Sequence, residues 1–200
     1  IINYSFDNQG FPKSRSIKQL IFYLKYFVLI REWFKESQNN IPDYLDEIIY
    51  YLGSSYTFIW GNIKKDFLFN GNYISNNNEF DQYLKRLGYK FKNQNNEQAG
   101  YAILKNSKIV LAMDIGPSPN KNFSKNYQSG SLSFEIISNG NKLISNSGYF
   151  ADTNNKLNKL SKNTALQSTL IIEDSSSCKF RKNGEKDITV DRGLKIIKKN

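Results

Sequence analysis

The apolar residues of the first fifty positions recur at helical spacing and those that follow do not, and this change of period constrains the fold more than any other feature. Ile17, Leu20, Ile21, Leu24, Phe27, Val28 and Ile30 to Phe34 form a broad stripe beside Lys18, Lys25, Arg31 and Lys35, the pattern of a helix with one buried face. The run from Leu20 to Ile30 carries Lys25 in its middle and is shorter than the roughly 20 apolar residues of a membrane span, so no span is expected. A second helix is expected to begin near Pro42, because Pro suits a first turn and Asp43, Asp46 and Glu47 suit the positive helix end. It presents Leu45, Ile48, Ile49 and Leu52 and is expected to stop at Gly53.

After Gly53 come short runs rich in aromatic and β-branched residues, broken by Asn, Gly and Ser. Strands are predicted at Tyr56 to Trp60, Asp66 to Phe69, Tyr101 to Leu104, Lys108 to Asp114, Leu132 to Ile137, Lys142 to Ser145, Ser168 to Glu173, Cys178 to Arg181 and Lys186 to Val190. Only Glu79 to Leu87 reads as helical here, and the Asn-rich stretches at 76–78 and 93–96 read as surface loops. The fold class expected is therefore α+β, with a helical part over 1–55 feeding an antiparallel β-sandwich over 56–200.

Composition limits the chemistry. With 200 residues, 39% of them hydrophobic, the chain can bury a sizeable core as one large or two small domains. It has no histidine, which excludes any mechanism that needs an imidazole from these residues. Its one cysteine, Cys178, excludes an internal disulfide and a Cys-based zinc cluster, and leaves oxidising and reducing compartments equally open. The net charge is +10, but 23 Lys against 5 Arg and 26 Asn are the skew of AT-rich coding, so part of the basicity reflects codon usage. Residues 156–200 hold 11 Lys or Arg against 5 Asp or Glu; such a face can steer a polyanion, yet no DNA- or RNA-binding motif accompanies it, and a nucleic-acid partner is not expected. The chain opens on Ile1 without a leader-like pattern and is expected to be a piece of a longer protein.

Specific strings say more. Tyr127-Gln128-Ser129-Gly130-Ser131-Leu132-Ser133-Phe134-Glu135, then Lys142-Leu143-Ile144-Ser145-Asn146-Ser147-Gly148, then Thr164-Ala165-Leu166-Gln167-Ser168-Thr169 resemble, in order, three blocks of the C-terminal domain of the heparinase II/III-like polysaccharide lyases. Gly10-Phe11-Pro12-Lys13-Ser14-Arg15 is similar to a Gly-Gly-x-x-Ser-Arg turn late in that family's α/α toroid, and Phe69-Asn70-Gly71 to the strand end that opens its β domain. The resemblance spans nearly the whole chain. It implies the end of an α/α toroid followed by an antiparallel β-sandwich, and an activity of β-elimination on a uronate-containing, acidic polysaccharide. It also implies a bacterial periplasmic setting.

Elimination at a uronic acid needs the carboxylate neutralised, a base for the C5 proton and an acid for the departing O4 oxygen. The resemblance places the family's histidine before Leu-Ser-Phe on Gln128, the acidic option of that step on Gly130, the metal-associated acidic position on Asn146 and the second histidine on Gln167. Gln128, Asn146 and Gln167 are thus candidate substrate-binding residues, or amides that bond one another to hold the sandwich in register. Neutral amide oxygens are poor zinc ligands and, without carboxylates nearby, weak calcium ligands, so no metal cofactor is expected.

Tyrosine could still act as base if neighbouring Lys or Arg lowered its pKa, and Tyr127 and Tyr149, which flank the first two blocks, are the catalytic candidates. Each has a packing alternative. Arg15 could pair with a substrate carboxylate or form a helix-end or interdomain salt bridge. Asp114, before Ile115-Gly116-Pro117, reads as turn chemistry, and Cys178 as a packed strand residue with no histidine to activate it. The function that follows is polysaccharide elimination. The alternative is a non-catalytic glycan-binding or structural descendant.

Overall fold

In the computed structural model, residues 2–61, 63–75, 77–183 and 187–195 are described. A short helix, α1 (Ile2–Ser5), precedes a turn, and then a helical pair, α2 (Ile17–Glu36) and α3 (Asp43–Ile59). Ser16 caps α2 by accepting from the Gln19 amide, satisfying one of the free N–H groups of its first turn. Asp43 and Asp46 occupy the first turn of α3, where the helix dipole favours negative charge. No helix among the described residues is long and apolar enough to cross a membrane.

Helix α3 does not stop at Gly53. It runs six residues further, and Tyr56 to Trp60, predicted as a strand, forms its end. The physical reason is the packing of Gly53: a Cβ there would lie 2.2 Å from the Phe91 ring. The glycine is a contact point for an aromatic ring, not a C-cap. Beyond it Tyr56, Phe58, Ile59 and Trp60 are all buried, so tertiary burial overrides the strand preference of these side chains. Residue 55 accordingly lies within α3.

Helix α4 (Asn78–Arg86) falls where the sequence predicts it. It leads to a five-stranded antiparallel sheet in chain order: β1 (Glu97–Gln98), β2 (Tyr101–Lys105), β3 (Ile109–Asp114), β4 (Phe134–Ser138) and β5 (Asn141–Ile144). Two hairpins close through two-residue turns with positive φ at both positions, Ala99-Gly100 and Asn139-Gly140, the geometry that matches strand twist. The register pairs Tyr101 with Asp114 and Ala112 with Glu135. Alternation then sends Tyr101, Ile103, Ala112, Asp114, Glu135 and Ile137 to one buried face. That face and the helices share one apolar core, from Phe6, Leu20, Leu24 and Leu52 to Phe67, Tyr101 and Ile137.

A second unit follows: α5 (Lys156–Ser161), then an antiparallel ribbon of β6 (Lys179–Asn183) and β7 (Asp187–Arg192). The ribbon packs Val190 and Phe180 with Tyr127 and Cys178 in a small separate cluster. Two further predicted strands are absent as strands. Asp66 to Phe69 joins no strand, its Leu68 amide going to the Glu135 carboxylate. Ser168 to Glu173 forms only an isolated bridge between Ile172 and Ser175, because the Ser168 amide is taken by the Asn146 side chain. Of the predicted strand from Lys186 to Val190, residue 186 lies outside the described residues.

Candidate functional site

Two polar clusters hold the residues singled out by sequence. The first joins the helical part to the sheet. Arg15 sits at the turn into α2 with φ of 58°, a left-handed conformation sparsely populated by residues other than glycine. Arg15 is 7% exposed, and its guanidinium donates to the carbonyls of Ala99 (3.1 Å), Gly100 (2.8 Å) and Pro117 (2.9 Å) and to Asp114 Oδ1 (2.5 Å). Asp114, 1% exposed, also accepts from the Gly116 amide and, at Oδ2, from Asn70. Asn70 donates to the Tyr101 hydroxyl as well, and that hydroxyl donates to the Arg15 carbonyl. Burial opposes the Arg15 charge, yet Asp114 and the neighbouring tyrosine hydroxyls outweigh it and hold the guanidinium firmly protonated. Asp114 is therefore more than a turn residue, since it carries the counter-charge of a buried ion pair between the helical turn and the sheet.

The second cluster contains the three amides. The turn Phe69-Asn70-Gly71-Asn72, with positive φ at Asn70 and Gly71, aims the Gly71 amide at Gln128 Oε1, 3.1 Å away. Gln128 Nε2 donates to the carbonyls of Gly148 (3.0 Å) and Ser161 (2.8 Å). Gln167 Nε2 donates to the same Ser161 carbonyl at 3.1 Å. Asn146 stands on the other side of the segment: its backbone and side-chain N–H groups donate to Glu135 Oε1, while its Oδ1 accepts from the Ser168 amide (2.9 Å) and hydroxyl (3.0 Å). The expectation that these amides bond one another is corrected. Gln128 and Gln167 meet at a shared backbone carbonyl, and Asn146 is tied to Glu135 and Ser168. Backbone groups left over by irregular loops are what the amides satisfy.

The tyrosines sit beside these clusters. The Tyr127 ring is buried with Cys178, Val190 and Phe180, and its hydroxyl accepts from Ser118 at 3.4 Å. Burial, with Asp114 adding, pushes its pKa up to about 12, away from the range a base near neutrality requires. The Tyr149 hydroxyl donates to Asn126 (3.2 Å) and accepts from Asn158 (3.0 Å). Cys178 is buried, with Sγ 3.1 Å from the Ser118 hydroxyl.

The residues at the family's metal positions do not fit a zinc ion. Gln128 Oε1 is used by the Gly71 amide, Asn146 Oδ1 is used twice by Ser168, and Gly130 brings no side chain. A Cβ at Gly130 would come within 3.0 Å of the Ser133 hydroxyl, so an acidic side chain has no room there without local movement. Among the described residues no three His, Cys, Asp or Glu side chains are grouped as a metal site.

Two buried residues carry roles that the sequence does not announce. Glu135, 0% exposed, accepts from the Leu68 and Asn146 amides and pairs with Lys142 at 2.7 Å. Lys162, also buried, donates to the Lys125 carbonyl and lies over the rings of Tyr149 and Phe180. The signal for Glu135 and Asp114 was present in the strand period, which places each carboxylate on the inward face.

The geometry agrees with what comparison with known proteins finds. A model of the heparinase II/III-like C-terminal domain matches residues 92–193. The chain belongs to this family. No curated protein matches it by sequence. Among solved structures, a heparinase III superposes with a TM-score of 0.62 at 18% identity, over 92% of this chain and 36% of its own. The heparan sulfate lyase HepC from Pedobacter heparinus superposes with a TM-score of 0.70 at 14% identity, over 94% of this chain and 35% of its own. The heparinase-like chain thus spans about a third of the length of these structures, and at such identities the likeness shows the fold: helices followed by antiparallel β structure.

Proposed function

We propose that this chain is the C-terminal part of a polysaccharide lyase that cleaves an acidic, uronate-containing polysaccharide by β-elimination, with α2 and α3 as the last helices of an α/α toroid. The observation that carries the reading is the coincidence of family blocks in space. The three motif segments, separated in sequence, converge around the Ser161 carbonyl and the Asn146–Ser168 contact, beside the helical turn that bears Arg15. In this reading the chain contributes the β wall of the cleft: Arg15, Gln128, Asn146 and Gln167, buried and bonded within the fold, shape that wall instead of meeting the sugar, and Tyr149 remains the proton-transfer candidate because Tyr127 is held too high to act as a base near neutrality. A bacterial periplasmic setting goes with it.

A specific observation favours a second reading, a glycan-binding descendant without catalysis. Gln128 is bonded at both ends of its amide and Tyr127 is pushed up to about 12, so neither is poised to move a proton near neutrality. Mass spectrometry of products from the full-length protein and an acidic polysaccharide separates the two. Elimination yields fragments lighter by one water than those of hydrolysis, and the second reading yields none.

A further inference from the structure

Apart from the amide cluster, a cavity of about 590 Å³ lies between the 153–163 segment and the β6–β7 ribbon. Lys156 and Lys159, three residues apart on α5, stand on one face of that helix. Lys162 closes the cavity from inside: it is 2% exposed, and its ammonium lies 5.5 Å from the centres of both the Phe180 and the Tyr149 rings. Phe180, Asn154 and Asn163 also line the cavity. Among the described residues no carboxylate lines this space.

Lys156 and Lys159 line the concavity with positive charge, the Lys162 ammonium in the wall being held by the Lys125 carbonyl, and an anion in that space meets a favourable field. Amides and an aromatic face add the complementary features of a small polar ligand with one apolar side. Sugars have this make-up, with hydroxyls for the amides and a C–H face for the ring, and a carboxylate or sulfate supplies the charge. We propose that this cavity is a binding subsite for an acidic sugar unit, separate from the three amides. The ligand class rests on the polysaccharide reading given above, but the subsite does not depend on elimination taking place.

The test is calorimetric titration of the full-length protein with a sulfated uronate disaccharide, an unsulfated uronate disaccharide, a neutral glucose disaccharide and inorganic sulfate. Lys156 and Lys159 are exposed, so Lys156→Glu/Lys159→Glu leaves the fold intact, which a melting curve checks. The expected result is at least a tenfold loss of affinity for the acidic disaccharides in that variant, a loss in Phe180→Leu, and no binding of the neutral sugar. Unchanged affinity in the charge variant overturns the proposal. So does inorganic sulfate binding as tightly as the disaccharides with no effect of Phe180→Leu, which is an anion site without sugar recognition. Lysine-dependent binding without unsaturated products keeps the subsite and removes the lyase reading; unsaturated products with lysine-independent binding do the reverse.

Discussion

Removing the Asp114 carboxylate should cost more stability than any other single truncation at the junction of helices and sheet. In Asp114→Ala the Arg15 guanidinium keeps three backbone carbonyls but loses its counter-charge, and the Gly116 amide and one Asn70 contact lose their acceptor. Both charged partners are nearly inaccessible to water, at 7% and 1% exposure, so solvent cannot take over the role. Breaking one side of a buried pair costs about 3–5 kcal/mol, a large share of the roughly 5–15 kcal/mol by which domains are stable. Urea unfolding of the wild type, Asp114→Ala, Arg15→Met and the double variant gives the four free energies, provided the urea dependence stays constant across the set. The double variant should lose at least about 1 kcal/mol less than the sum of the singles, because each single variant leaves a buried group unpaired that the double removes. Losses below about 1 kcal/mol in both singles, or additivity within about 0.5 kcal/mol, would refute the argument.

Three further outcomes are expected. Gln128→Ala leaves the Gly71 amide without its acceptor and takes one of two donors from each of the Gly148 and Ser161 carbonyls, and should cost about 1–3 kcal/mol by urea unfolding; a wild-type midpoint would show that solvent replaces the amide. Gly53→Ala should destabilise by about 1–3 kcal/mol despite alanine's better helix propensity, because its methyl group meets the Phe91 ring, and Phe91→Leu should recover most of the loss. Tyr127, ordinarily near 10 and here near 12, keeps its proton in the folded state after the unfolded chain has lost it. Its contribution is therefore complete below pH 10 and lost as pH rises through 12, so tyrosinate absorbance should show a late component, shared with Tyr89, Tyr56 and Tyr101, that is smaller by one tyrosine in Tyr127→Phe.

Much of the architecture was legible because period and turn chemistry agreed. The stripe of α2 and the strands β2, β3 and β4 lie within a residue or two of where alternation puts them, and Asn139-Gly140 closes its hairpin as that dipeptide should. The failures share one cause, a local preference outweighed by a distant partner. Gly53 looked like a stop until Phe91, 38 residues on, filled the space its missing side chain leaves. Leu68 and Ser168 sit in strand-like sequence, but Glu135 and Asn146 take their amides. At the candidate site the motif strings found the three amides, while their actual acceptors were backbone carbonyls of irregular loops, which carry no side-chain signature. Helix α5 and the lysines it presents went unread because six residues are too few for a period to declare itself.

The most direct measurement is the ultraviolet absorbance of the unsaturated uronate formed when the full-length protein meets a panel of acidic polysaccharides, with neutral glycans as controls. The account predicts a steady rise with at least one uronate polymer and none with neutral ones. Absence of any rise, together with measurable binding of the same polymers, would contradict the lyase reading and leave Gln128, Asn146 and Gln167 as the amides that hold this β domain together.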